Sequence, residues 1–294
     1  MDADGGNMEC VAEDVDFGLH TGCLPMWRDN ETIIYRGHGH TCIVDLNTGD
    51  VRALEGLLSR YLSPDGSQLA CQSGAPDNGG VFIVGLADFR RRKIVSSDDL
   101  SEIMLETFNR AGRMPDMDEA KMGSPQVANI KWSPRGSKLM LRFNYTPDQY
   151  LKSLFVFNPD GSGLKRLNLV SPRFGHHSWH PVGQWILYCD GNEKGPGRLY
   201  YLIDRDGFNR RVLHREPVSS HPIFNPAGTE LVDFAGGSIW HLDVKAGEVK
   251  ELASYTNHLH PGLHPHPSWS PDGSRVIYHS DHTGTSQIYV IPLH

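Results

Sequence analysis

Residues 130–143 read IKWSPRGSKLMLRF, and the same phrase returns as HSWHPVGQWILYCD at 177–190, PIFNPAGTELVDFA at 222–235 and PSWSPDGSRVIYHS at 267–280. Looser copies stand at 26–37 (MWRDNETIIYRG) and 61–74 (YLSPDGSQLACQSG). Each copy sets an apolar or aromatic residue before a Ser-Pro-Asp-Gly-like tetrad suited to a tight turn, then alternates apolar and polar positions. That pattern is a β-hairpin. A second phrase follows each hairpin, as in TCIVDLNTGDVRAL (41–54), GVFIVGLADFRRRKIV (80–95), SLFVFNPDGSGLKRL (153–167), RLYYLIDRDGFNRRVL (198–213) and SIWHLDVKAGEVKEL (238–252). All five read as strand, polar turn, strand.

Four strands recurring at blade length predict an all-β fold, a β-propeller of four-stranded blades. Six repeats are recognisable, with room for a seventh blade, in a single domain over 1–294. The sixth repeat stops at SQIYVIPLH (286–294), one strand early, which leaves an edge prone to aggregation. A strand from residues 15–19 is expected to close the ring. One stretch departs from the pattern: SDDLSEIMLETFNRAG (97–112) spaces Leu100, Ile103, Met104 and Phe108 as one face of a helix, with Ser97 as N-cap and Gly112 as stop. The expectation is a helical insertion over about 97–122, either a packing appendage or a lid over the channel.

Composition narrows the partners. The 294 residues are 38% hydrophobic and 21% charged, enough for a real core, and the formal charge is −7. The one basic run, RRRK at 90–93, reads as a solvated strand rim, so nucleic-acid binding is not expected. Neither a stretch of membrane-spanning length nor the basic and apolar regions of a secretory signal is present, which predicts a cytoplasmic protein away from membranes. Five cysteines without a C-x-x-C pair suggest reduced thiols rather than disulfides or a thiolate zinc site.

The histidines follow the repeat. Aligned on Trp132, Trp179, Phe224 and Trp269, the residue three places earlier is Asn129, His176, His221 and His266, and the last three are 45 residues apart in each step. Equivalent positions in a propeller are related by rotation about the channel, so these imidazoles are expected to converge at one mouth. His264 points the same way if its segment is extended. Neutral imidazoles in such a cluster suit a borderline divalent ion, whereas hydrogen bonding to blade backbones would explain a single one. His258, His260, His279 and His282 lie near the same blade out of register, and each reads as a loop residue.

The segment HPHPSW (264–269), the ending YHSDHTGTSQIYV, SSHPIF around His221 and FGHHSW around His176 together resemble the oligogalacturonate lyases, propeller enzymes related in fold to TolB. The resemblance is specific over about 172–290. It implies a metal-dependent β-elimination of short α-1,4-linked galacturonate chains or a related uronate. It further implies manganese held at His221, His264 and His266, His176 as base, and a basic residue where Lys152 stands, with Arg198 in the same place one blade on. A glutamine ligand of the family falls on Pro261, which has no donor, so His260 or water takes its place. The family has seven blades; this chain shows six repeats.

The chemistry suits these groups. β-Elimination removes the C5 proton beside a carboxylate and expels the C4 oxygen, so a cation near the carboxylate stabilises the developing charge. A histidine with an ordinary pKa near 6.5 serves as base. His177, one residue out of phase, is expected to point into the blade. Arg173, Arg198 and Lys152 would draw an anionic oligosaccharide into an acidic protein, and Tyr188, Tyr145 or Trp185 would stack on sugar or fill the inter-blade core. A non-catalytic propeller with a structural metal, binding a protein or glycan, is the competing reading. Hydrolysis is disfavoured because no acid occupies the aligned register.

Overall fold

The computed structural model describes residues 10, 12–13, 15–16, 25–73, 79–110, 126–145, 152–169, 174–190, 199–214, 221–255, 264–284 and 287–293. Each repeat becomes one antiparallel sheet, ordered as in the sequence. The first blade holds β1 (Met26–Trp27), β2 (Thr32–Gly37), β3 (His40–Asp45) and β4 (Val51–Leu54); the second holds β5 (Leu57–Leu62), β6 (Gln68–Ser73), β7 (Gly80–Gly85) and β8 (Arg91–Ser96). After helix α1 (Ser97–Arg110) comes the third, β9 (Gln126–Trp132), β10 (Leu139–Asn144), β11 (Lys152–Phe157) and β12 (Lys165–Arg166). The fourth is β13 (Phe174–Trp179), β14 (Trp185–Asp190), β15 (Leu199–Asp204) and β16 (Arg211–His214); the fifth is β17 (Ile223–Phe224), β18 (Glu230–Ala235), β19 (Ser238–Asp243) and β20 (Val249–Ser254). The sixth has β21 (Ser268–Trp269), β22 (Arg275–Ser280) and β23 (Gln287–Pro292).

The tetrad that marks each repeat is a self-contained turn. In the second blade Asp65 accepts from the Ser63 hydroxyl (2.6 Å), the Ser67 amide (3.1 Å) and the Ser67 hydroxyl (2.8 Å). Gly66 takes φ 70°, a conformation that costs glycine least, and donates its N–H to the Ser63 carbonyl at 2.9 Å. Ser270, Asp272 and Ser274 repeat the arrangement in the sixth blade.

The aromatic before the tetrad stitches blade to blade. Trp132 donates its indole N–H to the Tyr61 carbonyl (3.2 Å), Trp179 to Lys131 (3.1 Å) and Trp269 to Ile223 (3.0 Å), each reaching the inner strand of the preceding blade. Phe224 has no such donor, and there His180 Nε2 meets the Gly228 carbonyl at 3.1 Å. Replacing Trp179 with phenylalanine keeps the ring and removes the bond; a loss of about 1 kcal/mol is expected in denaturant unfolding. An unchanged midpoint would show that the indole N–H contributes only shape.

The core is a series of layers between neighbouring blades. Ile34, Ile43 and Leu54 meet Leu69 and Val84 between the first two; Met140, Leu154 and Val156 meet Phe174, Ile186 and Tyr188 between the third and fourth; Phe234 and Ile239 meet Tyr278 between the fifth and sixth. Helix α1 belongs to the layer between blades two and three, where Leu100 and Met104 are fully buried. Its N-cap is Ser96, not Ser97: the Ser96 hydroxyl accepts from the Asp99 amide (3.0 Å), and the Asp99 carboxylate accepts from the Ser96 amide (3.1 Å). That reciprocal pair is a capping box. The remainder of the expected insertion, 111–122, lies outside the described residues.

The ends of the array differ from expectation. Val15 bridges Gly37 and Asp16 donates its amide to Arg36 at 2.9 Å, so these two residues lie along β2 of the first blade and not beside β23. The physical reason is that β1 pairs with β2 only at Ile33 and Ile34, leaving the far end of β2 with backbone groups to satisfy. Residues 17–19 lie outside the described residues. On the sixth blade Ile277, Ile288 and Val290 are 42%, 75% and 54% exposed, so the face turned away from the fifth blade is apolar and uncovered.

Candidate functional site

Where the inner strands begin, the ladder is irregular. The register shifts between Met140 and Arg142 in the third blade and between Phe174 and His177 in the fourth. Asn129 and His266, in the same repeat position, take φ 49° and 43°. These bulges place an extra residue on the inner strand and turn a side chain out of the pleat. His176 sits at one and His266 at another, which is how residues next to buried neighbours come to face the channel.

The structure brings four imidazoles together. His221, His264 and His266 each offer a ring nitrogen, all within 4.8 Å of one another, and His221 Nε2 meets His264 Nδ1 at 2.9 Å. The His176 ring lies against that of His221, centroids 3.5 Å apart. Phe234 forms the floor, stacked on His221 at 5.4 Å and tilted against His264 at 5.1 Å. The His221 backbone is fixed by a buried acid that sequence reasoning passed over: Asp233 accepts from the His221 and Phe234 amides, both at 2.7 Å, and from the Tyr200 hydroxyl. Its signal was an acid at an inward position of the apolar strand ELVDFA.

The donor set fits a divalent ion. Burial, followed by His176, His266, His264 and Lys131, pushes His221 down to about 2, so its ring is neutral and able to ligate near neutral pH. Imidazoles at about 2.0–2.1 Å from a tetrahedral ion stand roughly 3.4 Å apart, between the 2.9 Å His221–His264 approach and the 4.8 Å limit of the cluster. Behind it His279, in β22 and not in a loop, donates its amide to the Pro265 carbonyl at 3.1 Å, with its ring 6.2 Å from His266.

The other expected residues separate. Lys152 begins β11 and holds its ammonium 5.3 Å from the Phe174 ring, two residues before His176. Arg173, Arg198 and His260 lie outside the described residues. Tyr188 is fully buried and stacked on Tyr201 at 5.2 Å, so it packs the layer between blades three and four and offers no face to a sugar. Its alternation with inward apolar neighbours in WILYCD explains the burial. Tyr145 is likewise buried.

Cations missed in the sequence do reach this region. Lys131 on β9 donates to the His177 carbonyl at 2.6 Å, and burial with the nearby Arg142 brings its ammonium down to about 8. His177, 4% exposed, points into the blade against the Phe174 edge. Burial, then Lys131, Arg142 and His176, hold it well below the ordinary histidine value. Above about pH 6.5 it is neutral in the folded and unfolded chains alike. Below that, the unfolded chain takes a proton that the folded one refuses, so stability falls by about 1.4 kcal/mol per pH unit from this residue. Denaturant unfolding at about pH 7.5 and about pH 5.5 reads the loss, and His177→Phe should make it smaller while leaving the share that His221 contributes.

No protein-family model matches the chain. The Tol-Pal system protein TolB of Francisella tularensis is 33% identical over 232 residues, which cover 66% of this chain and 51% of that protein. The oligogalacturonate lyase of Dickeya dadantii is 24% identical over 162 residues, 47% of this chain and 42% of the lyase. This chain therefore spans about half the length of the curated relatives it matches. A solved oligogalacturonate lyase in complex with manganese aligns with a TM-score of 0.68 at 17% identity, covering 90% of this chain and 75% of that one. The chain thus resembles oligogalacturonate lyases and shares the TolB-like propeller fold. No helix among the described residues is long and apolar enough to cross a membrane.

Proposed function

We propose that the protein is a metal-dependent lyase that cleaves oligogalacturonate or a related uronate oligosaccharide by β-elimination, acting in the cytoplasm. The observation that carries this reading is the convergence of three neutral-capable imidazoles, His221, His264 and His266, with a fourth, His176, lying against them. The three hold a divalent ion, Mn²⁺ first among candidates, since the similar lyase of known structure is in complex with manganese. Such an ion supplies positive charge beside the uronate carboxylate, where negative charge gathers during the reaction.

His176 takes the C5 proton; the electron pair of the C–H bond becomes the C4–C5 double bond, the C4–O bond breaks with its electron pair going to oxygen, and the leaving oxygen takes a proton from water, His176 later returning its own to solvent. Phe234 keeps water from one side of the cluster, and Asp233 holds the His221 backbone in place. Lys152, beside Phe174, which stands two residues before His176, is the cation assigned to the developing negative charge, with Arg198 in the same place one blade on as its alternative; His260 or water is assigned the ligand place that Pro261 leaves empty.

A second reading draws on the 33% identity to TolB: a propeller that binds a protein or glycan, with any metal structural. Incubation with Mn²⁺ and digalacturonate or trigalacturonate separates the two. The lyase yields an unsaturated uronate, seen by ultraviolet absorbance and by mass spectrometry, and loses activity in EDTA. Binding without an unsaturated product favours the second reading.

A further inference from the structure

The interface between blades three and four holds polar groups that the chemistry above does not use. Met140, Arg142 and Asn144 alternate along β10, and Met140 packs in the layer shared with Phe174, Trp179 and Tyr188, so Arg142 and Asn144 turn toward the fourth blade. Lys131 reaches the same place and gives one of its three N–H groups to the His177 carbonyl. Arg142 has a buried Nε with no hydrogen-bond partner; Asn144, 5% exposed, has a buried Oδ1 with none; and both ring nitrogens of His177 are buried and unpartnered. Among the described residues neither Lys131 nor Arg142 has an acidic partner, and each is felt through burial and, for Lys131, through repulsion by the other.

Two like charges withdrawn from water without a counter-charge destabilise a fold, and a native chain that keeps them has something for them to bind. We propose that Lys131, Arg142, Asn144 and His177 form a pocket for the carboxylate and an adjacent hydroxyl of a sugar acid, next to His176. The guanidinium offers parallel N–H groups that match a carboxylate, the ammonium adds a second positive charge, and Asn144 Oδ1 accepts from a hydroxyl. A chain of net charge −7 would otherwise repel an anionic sugar, and these two cations reverse the field locally. The pocket deepens the uronate reading and rests on it: it selects an oligomer with a carboxylate on the sugar next to the one that loses its proton.

The test is calorimetric binding of digalacturonate and of its neutral counterpart galactobiose in EDTA, where no turnover occurs, with wild type, Arg142→Met and Lys131→Met. Wild type should bind digalacturonate and not galactobiose, and each variant should weaken digalacturonate about 10- to 100-fold. Because Arg142 Nε has no hydrogen-bond partner and no acid pairs with the guanidinium among the described residues, Arg142→Met should also raise the Tm of the ligand-free protein by about 2–4 °C, which a structural role would lower. Equal binding by Arg142→Met and wild type, equal binding of galactobiose, or no digalacturonate binding at all overturns the pocket. Turnover by wild type with kcat/KM unchanged in Arg142→Met also overturns it, while leaving the lyase. Arg142-dependent binding without an unsaturated product leaves the pocket and overturns the lyase.

Discussion

Replacing His176 with alanine is expected to lower lyase turnover about 10²–10⁴-fold, the usual contribution of a positioned base, while Mn²⁺ content stays at the wild-type level. The two halves of this expectation come from the geometry. His176 lies against His221, the rings tilted by 39°, but is not one of the three residues whose nitrogens close within 4.8 Å, so it is next to the ligand set and separate from it. Metal analysis of the purified variant, beside an assay with trigalacturonate, reads both. Loss of metal along with activity would move His176 into the ligand set and leave the reaction without an assigned base.

The second large effect falls on the ion. His264→Ala or His266→Ala removes one of three nitrogen donors, and Mn²⁺ affinity should fall by more than the roughly 10–100-fold that loss of a supporting partner costs. Activity should fall with it and return in part at high Mn²⁺. The folded state should survive, because the blade interfaces are apolar layers to which these two imidazoles contribute little: the layer between blades five and six is built from Phe234, Ile239 and Tyr278. Full metal occupancy in both variants would place the ion elsewhere.

Much of this was legible in the sequence because a propeller writes its symmetry into spacing. Trp132, Trp179 and Trp269 mark the inner strands, and the 45-residue interval led from them to His176, His221 and His266, which the structure brings together. What escaped reading depends on backbone detail or on three-dimensional neighbours. The positive φ of Asn129 and His266, at residues other than glycine, leaves no mark in composition, yet such bulges decide which neighbour of a buried residue faces the channel. Lys131 and Arg142 occupy alternating positions that read as solvent-facing until the fourth blade covers them. Asp233, a single acid within the apolar strand ELVDFA, anchors His221 through partners that only the folded chain brings together. For Tyr188 the sequence left stacking on sugar and inter-blade core both open, and the structure places it in the core.

The uncovered apolar side of the sixth sheet has a consequence for how the molecule comes apart. A module held by one neighbour detaches more readily than a module held by two, so opening of a stacked array starts at its ends. Here His264 and His266 precede the sixth sheet, whereas His221 precedes the fifth, so the site joins two sheets. Under the proposed ligand set a captured cation therefore acts as a latch: peeling of β21–β23 must break coordination, and amide hydrogen exchange in that one sheet should slow on loading while the second and third sheets exchange as before.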